Sequence, residues 1–355
     1  MGDADLTQDL RERVQEAVEH KTRLRIAGSG SKAFLGLPCE GEALDMTGHR
    51  GVVNYQPSEL VFTARSGTPL AEVESILGES GQMLPFEPPH FGEGATLGGT
   101  IAAALSGPRR PWTGAARDFV LGTRIINGHA QVLRLGGEVI KNVAGFDLSR
   151  LMVGAMGTLG VLLDISFKVL PKPRREVTVA HELSAAQALD KLARWGVKPI
   201  PLSGACHWDG RLYVRLSGAE SAVAQAQKQI GGEVVEDAGR FWADLREQRL
   251  EFFAGEAPLW RVSVPPATPP MEDVPGAALI DWGGALRWVR AGSAPATVRE
   301  AAQRAGGHAT LFRGGSAEHA PFQPLPQSLM QIHKKVKHAL DPENIFNRGR
   351  LYTEL

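Results

Sequence analysis

Cysteine is scarce in this chain: two in 355 residues, Cys39 and Cys206. Two thiolates cannot hold an iron–sulfur cluster or a Cys-rich zinc site. Nor do two distant cysteines make the disulfide framework of a small secreted fold. Each reads as a small buried hydrophobe in a reducing compartment. Net charge is absent too, with 39 Lys plus Arg against 39 Asp plus Glu. That excludes a nucleic-acid footprint built on excess positive charge. No window carries the ~18 apolar residues of a membrane-spanning helix. The acidic stretch from Met1 to Glu19 has no apolar run and is not a signal peptide. The expectation is a soluble, cytoplasmic chain, held at a membrane only through another protein. Charges cluster once, with His333, Lys334, Lys335, Lys337 and His338 inside residues 332–341. These read as the solvated face of one helix, the alternative being a docking surface for a partner or an anionic lipid.

What is present is an ordinary globular composition, 43% hydrophobic and 22% charged, which excludes disorder. At roughly 150 residues per domain the length predicts two domains and an appendage. Glycine supplies 14 of the 69 residues from Gly92 to Gly160, well above the usual ~7%. Six of the seven tryptophans fall between Trp195 and Trp288. The composition therefore changes near Pro171-Lys-Pro173, a linker signal. The expected division is residues 1–173, residues 174–320, and a tail from 321 to 355.

The first part opens on an amphipathic helix with Leu6, Leu10, Val14 and Val18 on one stripe. A short strand at Leu24-Arg-Ile26 runs into a Gly-Ser loop. Leu163, Ile165, Phe167 and Val169 alternate with polar residues, predicting a strand with one buried face. The second part reads strand, helix, strand, strand, helix, strand, with a hairpin at Asp209-Gly210. That order is a ferredoxin-like split βαβ. A similar run follows from Leu259 to Phe312, and the two are expected to share one sheet. The tail is a helix with Leu329, Ile332 and Val336 on one stripe, stopped at Asp341-Pro342. The fold class is α+β.

Three glycine-bearing stretches carry the chemistry. In Gly28-Ser29-Gly30-Ser31-Lys32, small residues after a strand let backbone N–H groups converge on a phosphate or pyrophosphate. It is neither the dinucleotide fingerprint nor a P-loop, and a tight surface turn is the competing reading. In Thr96-Leu97-Gly98-Gly99-Thr100 a helix start offers free N–H groups to an anion; a buried small-residue helix competes. The third stretch holds Lys141-Asn-Val-Ala-Gly-Phe-Asp147 and Gly157-Thr-Leu-Gly160-Val161, which can wrap a flat group or form a structural turn.

Taken together and in order, these pieces resemble the flavoproteins of the vanillyl-alcohol oxidase and p-cresol methylhydroxylase superfamily. Arg117-Asp118-Phe-Val-Leu-Gly122 and Asp341-Pro-x-x-Ile-Phe-Asn347 also match. Leu105-Ser-Gly107-Pro108-Arg-Arg-Pro111 and Thr310-Leu-Phe-Arg-Gly-Gly315 are similar to the FAD-binding subunits of glycolate oxidases. The resemblance implies a FAD-binding domain of the p-cresol methylhydroxylase type, a ferredoxin-like cap, and a tail returning to the flavin domain. It implies FAD contacts from Gly28, Ser29, Gly30, Ser31 and Lys32 at the pyrophosphate. Thr96, Leu97, Gly98, Gly99, Thr100, Gly107 and Pro108 would lie along the pyrophosphate, ribityl and ring portions. Gly157, Gly160 and Val161 would meet the adenosine end, and Asp118 would bond a loop or the cofactor.

Covalent flavin in this superfamily uses a His or Cys near these loops. Residues 25–36 hold neither, so the flavin is expected to be non-covalent, with Cys39 just outside that window. The metal-assisted site of related 2-hydroxy-acid dehydrogenases is not matched. Glu318-His319 is present, the Gly-Asp-Gly-Asn segment is absent, and His181, His207 and His308 have no ligand spacing. No metal and no catalytic base is assigned. Arg348 replaces the usual Pro of the terminal turn.

Three functions remain. The first is a redox subunit in a complex that oxidises glycolate to glyoxylate, beside a sister FAD subunit and an iron–sulfur subunit. The second is a self-sufficient FAD-dependent 2-hydroxy-acid dehydrogenase. The third is a non-catalytic flavin-binding assembly subunit.

Overall fold

The computed structural model describes residues 3–137, 147–314 and 320–355. It divides into two compact units. One comprises Met1–Leu105, Ala115–Pro171 and Pro324–Leu355; the other comprises Ser106–Gly114 and Lys172–Gln323.

In the first unit, β1 (Leu24–Ala27) pairs in parallel with β2 (Glu42–Asp45), with Ala27 opposite Asp45. A separate antiparallel sheet is built from β3 (Val52–Gln56), β4 (Val61–Arg65), β5 (Val120–Ile126), β6 (Val132–Gly136) and β7 (Val161–Lys168). Its order is β3-β4-β7-β5-β6. The stripe expected on the first helix is real: Leu10 and Val14 of the helix Thr7–His20 are buried against Leu24, Leu44 and Phe346. Strand β7 departs from the single buried face that its alternation predicts. Leu162 and Ser166 are buried as well, because β7 is central and feeds two cores. The polar Ser166 is tolerated there because its Oγ bonds Thr63 Oγ1 at 2.8 Å.

The second unit is one eight-stranded antiparallel sheet. Its strands are β8 (Arg175–Glu182), β9 (Leu202–Trp208), β10 (Arg211–Gly218), β11 (Glu233–Val234), β12 (Leu259–Ser263), β13 (Ala277–Asp281), β14 (Leu286–Arg290) and β15 (His308–Arg313). The order is β11-β8-β10-β9-β13-β14-β12-β15. Each half has the ferredoxin-like arrangement, and the halves join where His207 of β9 faces Ile280 of β13. The first half carries two helices, Ala185–Gly196 and Glu220–Ile230; the second carries Pro295–Arg304. Between β12 and β13 the sequence Val264-Pro-Pro-Ala-Thr-Pro-Pro270 replaces the other crossover helix. Four prolines without N–H groups cannot make one.

Two expectations are corrected here. Residues 106–114, expected in the first domain, belong to the second unit. Arg109 pairs with Glu176 at 2.7 Å, and Trp282 Nε1–H donates to Gly107 O at 3.0 Å. The basic run on the terminal helix Gln327–Leu340 is not one solvated face. Lys337 is buried, while Leu329 and Ile332 of the expected apolar stripe are exposed. Lys337 is stable there because its three protons reach Thr158 O at 2.7 Å, Asp341 Oδ2 at 2.6 Å and Phe346 O at 2.9 Å.

Candidate flavin cradle

The Gly-Ser loop leaves β1 and forms one wall of a cavity of about 510 Å³. The N–H groups of Gly28, Ser29, Gly30 and Ser31 make no hydrogen bond among the described residues. Four such donors side by side at a cavity wall suit the oxygens of an anion. Gly28 is needed for close approach: a Cβ there would stand 2.4 Å from Thr96 Oγ1. Lys32 Nζ donates to His90 O at 3.1 Å, which holds its charge at the wall.

The helix Leu97–Ala103 behaves differently from the expectation of free donors. Leu97 N–H bonds Thr68 O at 2.9 Å and Gly98 N–H bonds Ser66 O at 2.7 Å. Gly99 N–H bonds Thr96 Oγ1 at 3.2 Å, so the cap closes the helix end on itself. Thr96, Gly98 and Gly99 still line the cavity, as compact wall rather than as donors.

The far wall comes from the turn before β7 and from the tail. Gly157 has φ +74°, and a Cβ there would lie 2.5 Å from Asn347 Nδ2. Asn347 Oδ1 accepts Ile26 N–H at 2.7 Å, and its Nδ2 donates to Met156 O at 2.7 Å. Arg350 donates to Leu37 O at 2.9 Å and Ala33 O at 2.8 Å. Burial pushes its guanidinium below the ordinary value, and Cys39 opposes that shift.

The lining is one-signed. Arg25, Lys32 and Arg350 contribute positive charge, and the described wall holds no Asp, Glu, His or Tyr. Met46, Met152, Met156 and Leu162 supply apolar surface. Ser66 Oγ is buried at this wall without a hydrogen-bond partner among the described residues. Unpaired N–H groups, a buried orphan hydroxyl, cations and an apolar stretch fit a dinucleotide with a charged middle and a flat end.

Of the residues singled out in the sequence, Gly28, Ser29, Gly30, Ser31, Lys32, Thr96, Gly98, Gly99, Gly157 and Gly160 line this cavity. Leu97, Thr100 and Val161 do not; they are buried behind it. Asp118 is exposed and accepts Ala115 N–H at 2.8 Å, closing a short turn. Gly107 and Pro108 are buried in the second unit. Lys141 to Phe146, Gly315 and Glu318-His319 lie outside the described residues. Arg348 is exposed beside the buried Asn347. Cys39, read as a buried hydrophobe, is half-exposed on the cavity wall, whereas Cys206 is buried. Arg25, Ser66 and Arg350 carried no sequence signal, and Asn347 was visible only as the end of the tail motif.

The comparisons with known proteins agree with this geometry. A family model described as an FAD binding domain matches residues 4–136. The solved structure of p-cresol methylhydroxylase with substrate bound superposes with a TM-score of 0.71. It covers 98% of this chain and 88% of that one at 14% identity, so the likeness is of fold. The chain thus has the α+β fold of the p-cresol methylhydroxylase type, with a segment that matches an FAD binding domain.

The glycolate oxidase subunit GlcE of Escherichia coli (strain K12) is 53% identical over 353 residues, 99% of each chain. This chain belongs to the family of that subunit. The glycolate oxidase subunit GlcD of Bacillus subtilis (strain 168) is 30% identical over 163 residues, 45% of this chain and 34% of that one. Among the described residues no helix is long and apolar enough to cross a membrane. No group of three His, Cys, Asp or Glu that could hold a metal ion occurs among them.

Proposed function

We propose that this chain binds FAD non-covalently and serves as a redox subunit of a cytoplasmic glycolate-oxidising complex, beside a sister FAD subunit and an iron–sulfur subunit. The observation that carries the reading is the set of four N–H groups at 28–31 without a partner among the described residues, in a wall whose described residues bear three cations and no carboxylate. Flavin, when bound, supplies two-electron chemistry. The chain's own residues hold it. The loop N–H groups would take the diphosphate oxygens, and Arg25, Lys32 and Arg350 would offset their charge. The methionines and Leu162 would keep water from the flat end. The relatives' names, each a subunit of a glycolate oxidase, support assembly with other chains. The sister FAD subunit and the iron–sulfur subunit are what the family resemblance implies, and two cysteines that cannot ligate a cluster are consistent with the second. The same partners would provide any contact with a membrane.

A second reading, a flavin-binding assembly subunit that does not turn over substrate, is favoured by one observation. The described cavity wall contains no His, Asp, Glu or Tyr to take a proton from a hydroxy acid. The deciding measurement is an absorbance spectrum before and after acid denaturation, with glycolate added in parallel to the chain alone and to the reconstituted complex. The redox-subunit reading expects flavin released into the supernatant and bleached by glycolate only in the complex. Bleaching of the lone chain would instead establish a self-sufficient dehydrogenase. Flavin that glycolate never bleaches would establish the assembly subunit. A folded, colourless chain that takes up no FAD would overturn all three.

A further inference from the structure

Residues 33–37 are clipped to the tail by one residue, Arg350. Its guanidinium donates to Leu37 O at 2.9 Å and Ala33 O at 2.8 Å, and its own carbonyl accepts Leu37 N–H at 2.9 Å. Gly36, at φ +83°, lies so close that a Cβ would stand 2.7 Å from that carbonyl. Pro38 then fixes the next backbone angle, and Cys39 comes out half-exposed on the cavity wall. The tail thus sets where this thiol stands.

That wall is built to hold a ligand. Ser66, 2% exposed, brings to it a hydroxyl with no hydrogen-bond partner among the described residues. Arg25 and Arg350 line it with Cys39, and its described lining holds no Asp or Glu. Glu40, next in sequence, has a side chain 92% exposed and lies toward Arg23, at 3.8 Å. A reagent that reaches the Cys39 sulfur therefore meets positive charge, which draws anions and repels cations. Cys206 is wholly buried, and burial, then Asp281, push its thiol up. The thiol chemistry of the chain falls to Cys39.

We propose that Cys39 is a thiol–disulfide switch on cofactor loading: in the FAD-free chain it forms a mixed disulfide with a small anionic disulfide, and that adduct and FAD exclude one another. Cys39 Sγ gives up its proton to solvent and attacks one sulfur of the reagent. The new S–S bond forms as the old one breaks, and the other half of the reagent leaves as a thiolate and takes up a proton. Cys39 is oxidised and the leaving sulfur is reduced, so the disulfide is itself the oxidant. The bonded half then fills cavity that a dinucleotide needs, while a bound dinucleotide covers the sulfur. The switch rests on the flavin reading above, because FAD is what it gates.

The test incubates the full FAD-free chain with glutathione disulfide, an anion, or with cystamine, a dication, and reads the adduct by intact mass and peptide mapping. Glutathione disulfide should modify Cys39 and not Cys206, roughly fivefold faster than cystamine at low salt once each rate is scaled to that reagent's rate with free cysteine. Arg350→Gln should shrink that ratio. FAD at ten times its Kd leaves about a tenth of the chain free, so it should slow the reaction about tenfold. The modified chain should take up FAD roughly tenfold more weakly in a fluorescence titration, and dithiothreitol should restore the affinity. Cys39→Ser should bind FAD whether or not the disulfide is present. If that variant does not fold, the mapped adduct on the unsubstituted chain and its dependence on FAD carry the same reading. An unmodified Cys39, equal rates with and without FAD, cystamine as the faster reagent, or full FAD affinity in the modified chain overturns the switch and leaves the flavin reading standing. A folded, unmodified chain that takes up no FAD overturns the flavin reading, and the switch with it.

Discussion

Asn347 Oδ1 accepts the N–H of Ile26 at 2.7 Å, across 321 positions of sequence. Its Nδ2 reaches Met156 O at 2.7 Å. One side chain thereby fixes the spacing between the strand that launches the Gly-Ser loop and the turn that carries Gly157. Asn347→Ala should lower folding stability by about 1–3 kcal/mol, because buried partners lose their bonds. It should also weaken FAD binding by roughly tenfold, equivalent to ~1.4 kcal/mol. Fluorescence titration with FAD and a urea melt read the two effects. Wild-type values in both would remove Asn347 from the cradle.

Ser66 offers a change of opposite sign in the two states. Its Oγ is buried with no partner among the described residues, so removing it relieves a desolvated group in the empty chain. Ser66→Ala should leave the FAD-free chain as stable or slightly more stable, and should weaken FAD several-fold. A loss of stability without a loss of affinity would mean that the hydroxyl serves the fold.

The Lys337–Asp341 pair is nearly solvent-free, with side-chain exposures of 6% and 0%. Asp341 also accepts Ile345 N–H at 3.1 Å and Phe346 N–H at 2.9 Å, so it shapes the tail that delivers Asn347. Asp341→Ala strands a buried ammonium and should cost ~3–5 kcal/mol. Burial already holds the Lys337 ammonium below its ordinary value, against the pull of Asp341. The double variant Lys337→Met, Asp341→Ala should recover part of that loss in the same urea melt. A double variant as unstable as the single would show that the backbone bonds of Asp341 carry the effect.

Acid should loosen the N-terminal edge. The Thr7 hydroxyl, resisted by desolvation and helped by Thr7 N–H, Arg124 and Arg65, holds the Asp5 carboxyl well below its ordinary 3.8. A carboxylate depressed in the folded state stabilises at pH values above its unfolded value. That contribution is lost as pH falls from 3.8 toward the lower folded value. Asp5→Asn should therefore lower the melting temperature at pH 7 and flatten its decline in that acid window. An unchanged profile in thermal melts would show that Asp5 contributes nothing.

Much of this was written locally. Glycines and serines after a short apolar strand announce a loop that can present N–H groups, whatever lies opposite, because missing side chains are a local property. Alternating apolar residues likewise announce the strands of both ferredoxin-like halves, and four prolines announce the missing helix between β12 and β13. What the tertiary structure alone decided is how polar groups are paired. The helix end at Leu97–Gly99 looks like an anion site until Thr68 O and Ser66 O arrive from elsewhere to occupy it. Lys337 looks solvated until Thr158, Asp341 and Phe346 converge on its ammonium. Nothing around Gly107 in the sequence announces that Trp282, 175 residues away, donates to its carbonyl. Backbone conformation is biased by each residue's own side chain, whereas a donor's partner is chosen by whatever the folded chain brings within 3 Å.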